Sequence, residues 1–347
     1  MAPDAADEEF MRVAINEARK GLGFTSPNPS VGAVLVVDGR VAATAYHREA
    51  GAPHAEIECL RSYGLALQSE NTLYVTLEPC STAGRTLPCT EAILRAGVRN
   101  LVIGAVDPNP RHQGRGIELL RAAGVRVRSG VLAEECSGLN EAFNKWIQTK
   151  TPFVVAKCGM TLDGRLTLRP NERRWITSLG ARRHANRLRA QVDAILIGAE
   201  TLRADNPRLT VREVPGARQP WRVIVSRSGR LPAGARVFTD SFAERTLVFH
   251  NEPLENVLAS LGQKEITSVL MEGGGDVLSQ ALDQRLIDRV HIYLSPILSG
   301  GPVVAFSGMG ATSTKGGLPL SNVSYEQIGR DIFINAKATY EHASSEQ

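Results

Sequence analysis

Three apolar runs in the first half of the chain, at residues 31–37, 72–77 and 101–106, are each separated from the next by a stretch that includes a segment of helical periodicity. Short apolar strands spaced in this way bury themselves in a shared sheet with helices laid over it, so this half reads as an α/β layered domain. The same pattern predicts helices over 7–22, 54–63, 90–96, 117–123 and 133–148, and further strands at 41–46 and 125–128. Asp38-Gly39 is the expected turn of a hairpin between the first two strands.

The helix at 133–148 runs into Lys150-Thr151-Pro152, where a domain boundary is expected. At 347 residues the chain is long enough for two domains of ordinary size. The second half begins with the β-rich run PFVVAKC. It continues with a helix at 181–190, strands at 194–198, 222–226 and 268–271, a helix at 277–286, and strands at 290–294 and 332–338. The division is therefore 1–149, 150–342 and a fraying Ser/Glu tail at 343–347.

Hydrophobic residues make up 43% of the chain and charged residues 22%, so each half can bury a core. No stretch approaches the ~20 apolar residues of a membrane span. The first ten residues, MAPDAADEEF, are acidic and lack an apolar run, which leads us to expect a cytoplasmic protein. In that compartment thiols stay reduced, so Cys59, Cys80, Cys89, Cys136 and Cys158 are expected as metal ligands or buried thiols, not disulfides. Charge is uneven. Residues 1–150 carry 16 Lys and Arg against 17 Asp and Glu, whereas 151–347 carry 24 against 19. Fourteen arginines fall within 169–230, as solvated spacers or as a site for phosphorylated small molecules.

His54-Ala55-Glu56 opens a helix, Glu78-Pro79-Cys80 follows a strand, and Cys89 starts the next helix. One imidazole and two thiolates suit a catalytic zinc that keeps a fourth position open for water. Glu56, two residues from His54, is placed to move a proton rather than to ligate. H-x-E followed by P-C is also the signature of zinc deaminases of nucleic-acid bases, but there the cysteines are two residues apart and here eight. That spacing, with the slightly acidic balance of the first half, argues against a polynucleotide substrate.

HAE and EPC, then GRT, a proline and a second cysteine, followed by AGV and DPNP, closely resemble the bifunctional deaminase-reductase of riboflavin biosynthesis. The likeness begins at Pro27-Asn28-Pro29 and continues through Gly114–Gly116 and Leu139-Asn140. It then runs through Leu162-Asp163-Gly164-Arg165 and Trp175-Ile176-Thr177-Ser178 to Glu272-Gly273-Gly274. It implies a cytidine-deaminase-like domain followed by a dihydrofolate-reductase-like domain that uses NADPH. The first would hydrolyse an amine from a diaminopyrimidinone carrying a ribosylamino phosphate, and the second would reduce the ribose to a ribityl chain.

The resemblance assigns zinc to His54, Cys80 and Cys89, the proton shuttle to Glu56, and substrate contacts to Asn28, His47 and Arg85. In the second domain it assigns the cofactor to Gly159, Trp175, Thr177, Thr201, Asp205, Gly273, Gly274 and Gly275. Matching substrate contacts there are Arg189, Leu209, Arg212 and Glu272, with Arg173 added by its position, and Lys157 and Asp205 are our candidates to polarise the sugar. A homo-oligomer, dimer or tetramer, is expected, and the charge balance and the lack of an apolar span leave neither nucleic acid nor membrane as an expected partner.

The chain departs from the family pattern at three places. Thr82 and Ala83 stand where a histidine, often two, follows EPCS. Arg173 replaces a substrate-contacting serine and is expected to bind phosphate. Ser226-Arg227 replaces an aspartate–serine pair. Alternative readings are a deaminase whose reductase domain is impaired, and a zinc deaminase of another nucleobase.

Overall fold

Asp38 and Gly39 both adopt positive φ, 49° and 74°, the conformation that lets a two-residue loop match the twist of the strands it joins. They connect β1 (Gly32–Val37) to β2 (Arg40–Tyr46), with α1 (Ala5–Arg19) preceding the hairpin. There follow α2 (Ala55–Tyr63), β3 (Asn71–Leu77), α3 (Cys89–Ala96), β4 (Asn100–Ala105), α4 (Arg115–Ala122), β5 (Arg126–Ser129), α5 (Ala133–Gly138) and α6 (Glu141–Thr149). The computed structural model describes residues 5–64, 67, 70–82, 87–166, 175–311, 313 and 316–340. The chain divides into two compact units, Met1–Lys150 and Thr151–Gln347. The tail expected at 343–347 lies outside the described residues.

The first unit is built on a sheet of order β2-β1-β3-β4-β5, with β1 antiparallel to both its neighbours and β3, β4 and β5 parallel. Strands β1, β3 and β4 are buried almost throughout, which is why they read as unbroken apolar runs. Parallel β3 and β4 end side by side, so the loops that carry Cys80 and Asp107 leave the same edge of the sheet. Ligands in open α/β sheets bind outside the carboxyl ends of such strands.

The single helix expected at 133–148 is two helices, broken at Leu139-Asn140. The Asn140 side chain accepts from the Ser30 peptide N–H (2.7 Å) and donates to its carbonyl (2.9 Å). Pairing a buried peptide on both sides fixes Asn140 at the break.

The second unit contains β6 (Phe153–Thr161), α7 (Leu179–Arg189), β7 (Ala194–Gly198), α8 (Ala199–Asp205), β8 (Trp221–Ser226), α9 (Arg236–Thr239), β9 (Thr246–His250) and α10 (Leu254–Gln263). Then come β10 (Ser268–Met271), α11 (Gly275–Asp283), β11 (Arg289–Ser295), β12 (Leu320–Ile328) and β13 (Asp331–Ala338). Its sheet has the order β12-β13-β11-β6-β10-β7-β8-β9. Strands β11, β6, β10, β7, β8 and β9 run parallel, and β13 and β12 close one side antiparallel.

The sequence reading did not place α8, α9, β9, α10 and β12. Strand β12 (LSNVSYEQI) is an exposed edge without a buried face to impose alternation. Helix α10 was legible: Leu254, Val257, Leu258 and Leu261, at helical spacing, are its buried face. Among the described residues no helix is long and apolar enough to cross a membrane.

Candidate functional site

Pro53 leads into α2 with His54 as its N-cap residue, and the ring is not spent on capping the helix. His54 Nδ1 lies 3.1 Å from Cys89 Sγ and 3.6 Å from Cys80 Sγ, and the three ligand atoms fall within 4.8 Å of one another. Bonds of ~2.3 Å to sulfur and ~2.0 Å to nitrogen, arranged tetrahedrally, separate ligand atoms by roughly 3.5–3.8 Å. The donor set therefore fits zinc in both chemistry and spacing. The Cys89 peptide N–H donates to Cys80 Sγ (3.4 Å). The Cys89 thiol, the His54 ring and that N–H hold the Cys80 thiol down to about 4 against the opposing effect of burial. Glu56 is buried beside them within reach of Cys89, and burial pushes its carboxyl up. The other thiols, Cys59, Cys136 and Cys158, are buried and pushed up to about 12 by desolvation, which leaves them inert.

His47 stands against this centre with its ring edge-on to His54, centroids 5.2 Å apart. The Pro53 carbonyl can only accept, so His47 Nδ1 carries the proton that it donates there (3.1 Å). His47 Nε2 then accepts from the Asn28 amide (3.3 Å). Burial lowers the pKa of this imidazole. Asn28 and His47 are thus brought together with His54, whereas Arg85 lies outside the described residues.

Glu78 holds the next layer, a role the sequence reading missed. Its carboxylate accepts from Gly116 (2.9 Å) and Ile117 (3.4 Å) through Oε1, and from Gly114 (2.9 Å) and Asp107 (3.2 Å) through Oε2. These include the free peptide N–H groups at the start of α4, where an anion is favoured. A Cβ at Gly116 would stand 2.4 Å from the Pro79 carbonyl, so only glycine lets α4 approach this closely. The signal was present in EPC and in Gly114–Gly116, but nothing in the sequence links them.

In the second unit Glu272, immediately after β10, takes Arg189 in two parallel 2.7 Å bonds and lies 3.8 Å from Lys157 Nζ. Burial pushes its carboxyl up, but Arg189, Lys157 and Arg212 outweigh that and hold it at about 2. Lys157 also lies over the ring of buried Tyr293, 5.7 Å from its centroid. The Asn186 side chain clamps the peptide of Arg212 on both sides. Burial, and then the neighbouring Arg189 and Arg208, push the Arg212 guanidinium down, against Glu213 and Glu272.

Other expected positions also meet. Thr201 Oγ1 accepts from the Gly274 peptide N–H (3.0 Å), and a Cβ at Gly159 would touch Thr177 Cγ2 at 3.0 Å. Gly273 precedes this turn, and Gly275 begins α11, where a side chain would run into the Val304 carbonyl at 2.2 Å. Close packing is thus one reason for glycine there. Trp175 is 72% exposed and carries the Arg182 guanidinium over its ring. Asp205 ends α8. Leu209 is 2% exposed and packed in a core cluster, so anything it offers a ligand comes from its backbone. Arg173 lies outside the described residues. Arg227 pairs with Asp276 in the first turn of α11 (3.0 Å).

A family model for the cytidine and deoxycytidylate deaminase zinc-binding region matches residues 4–105, and one for the RibD C-terminal domain matches residues 152–334. The riboflavin biosynthesis protein RibD of Aquifex aeolicus is 36% identical over 94% of this chain and 97% of its own. Among solved structures, RibD from Acinetobacter baumannii is 34% identical with a TM-score of 0.88. A diaminohydroxyphosphoribosylaminopyrimidine deaminase/5-amino-6-(5-phosphoribosylamino)uracil reductase from Thermotoga maritima is 36% identical with a TM-score of 0.86. Each covers 96% of this chain and 99% of its own.

Fold and site together define a two-part enzyme, a zinc-dependent deaminase followed by an NADPH-dependent reductase. The expected order of a cytidine-deaminase-like domain and a dihydrofolate-reductase-like domain is borne out. The chain belongs to the RibD family of bifunctional riboflavin biosynthesis enzymes.

Proposed function

We propose that the first unit deaminates 2,5-diamino-6-ribosylamino-pyrimidinone 5'-phosphate to 5-amino-6-(5-phosphoribosylamino)uracil, and that the second reduces the ribose of that product to a ribityl chain. The observation that carries this reading is the close triangle of His54, Cys80 and Cys89 with Glu56 buried beside it. His54, Cys80 and Cys89 would hold zinc, which when bound lowers the pKa of a water toward ~7 and so makes hydroxide available at neutral pH. Glu56 passes the proton from that water to the departing ring amine. His47, its tautomer fixed by Pro53, and Asn28 orient the ring.

In the second unit NADPH, when bound, supplies hydride to the anomeric carbon of the opened sugar. Gly159, Thr177, Thr201, Asp205 and the Gly273–Gly275 turn would line its place, with Trp175 on the rim. Lys157, held beside Glu272 at 3.8 Å, donates a proton toward the sugar oxygen. Arg189 and Arg212, with Arg173, receive the phosphate, and Leu209 lends backbone contacts. Arg85 would serve the same end in the first unit. The enzyme acts in the cytoplasm as a homo-oligomer, which light scattering on the purified protein tests.

The experiment is incubation of the purified protein with the diaminopyrimidinone phosphate, with and without NADPH, followed by mass analysis. Hydrolytic exchange of the ring amine for an oxygen, with release of ammonia, is expected without NADPH, and uptake of two further hydrogens when it is present. Unchanged substrate in both arms overturns the reading, and deamination that stops there in the presence of NADPH supports an impaired reductase.

A further inference from the structure

The loop between β4 and α4 is fastened by the Glu78 carboxylate at Asp107 and again at Gly114. Inside it, the Asn109 peptide donates to Asp107 Oδ1 (2.8 Å), and the His112 and Gln113 peptides donate to the Asn109 carbonyl (2.8 and 3.0 Å). A loop tied this often is a fixed platform, and it aims one side chain at the strand end carrying Cys80. His112 Nε2 lies 3.5 Å from Thr82 Oγ1, the long limit of a hydrogen bond. His112 Nδ1 is shut away from solvent without a partner among the described residues. Thr82 follows the ligand Cys80 by two residues, which puts the pair on the rim of the metal centre. Exposed Arg111 precedes His112 on the loop, and exposed Arg115 follows it as the first residue of α4.

An imidazole and a hydroxyl that barely satisfy each other, with two guanidinium groups nearby, suit an anionic oxygen better than a neutral heterocycle. We propose that His112 and Thr82 together hold the phosphate-bearing arm of the deaminase substrate. The imidazole that the family pattern carries in the chain at Thr82 arrives here across space, from the next loop. This inference rests on the deaminase reading above.

The test is steady-state deamination by the zinc-loaded full chain, using the phosphorylated substrate and its dephosphorylated form. Calorimetric titration of the phosphorylated uracil product runs alongside. His112→Ala and Thr82→Val should each raise KM for the phosphorylated substrate about tenfold. Turnover should be little changed, KM for the dephosphorylated form should not move, and product affinity should fall by the same factor. Equal shifts for both substrate forms, or none, overturn the proposal. Should His112→Ala lose zinc, Thr82→Val at an exposed position decides alone. A wild-type enzyme that deaminates neither form refutes the underlying reading, and the product titration then still reads the proposal.

Discussion

The Glu78 carboxylate accepts the Gly116 peptide N–H at 2.9 Å, and that bond ties the end of β3, which delivers Cys80, to the first turn of α4. Glu78→Ala leaves several buried N–H groups without an acceptor, each at a cost of ~1–3 kcal/mol. We expect the first unit to lose at least ~3 kcal/mol and its zinc content to fall. Denaturant unfolding with metal analysis checks this, and unchanged values for both would show that Glu78 does not anchor the site.

Cys89→Ser should strip the protein of zinc. With one thiolate gone, only two strong protein ligands remain, too few for a stable catalytic site. The wild type should carry about one zinc per chain. Full metal and full activity in the variant would mean the ligand set is wrong.

Glu56→Ala should keep zinc yet lose deamination by ~10²–10⁴ in rate. Reduction of the already deaminated substrate should continue, since Glu56 belongs to the first unit. The decisive comparison is the two activities measured on one preparation; loss of both together would contradict separate sites.

Glu272 ties acid stability to the reductase site. Its carboxyl sits at about 2, below its ordinary value of 4.5, so the stabilisation is fully present above ~4.5 and is lost as pH falls toward 2. The shift corresponds to ~3 kcal/mol. Glu272→Gln leaves Arg189 unpaired and should be less stable than the wild type at neutral pH, with the gap narrowing below pH ~4.5. Stability curves of the two proteins from pH 6 to 2 test this, and a constant gap would mean the ion pair is not the cause.

What the sequence determined by itself is chemistry carried by residue type and immediate flank. His54-Ala55-Glu56, Pro79-Cys80 and Cys89 name a metal centre because few other uses bring one imidazole, two thiols and a carboxylate to strand and helix ends. The apolar runs that became β1, β3 and β4 were legible because burial on both faces leaves no polar position to obscure them. Tertiary structure alone decided the long-range pairings. The bidentate grip of Glu272 on Arg189 joins residues 83 apart, and the contact of His112 with Thr82 spans 30. Asn140 breaks a helix for a peptide 110 residues away, against the helical periodicity of its own neighbourhood. Local pattern reports only which face of an element is buried; which polar groups meet is fixed when the elements pack, because only then must each buried donor and charge find its partner.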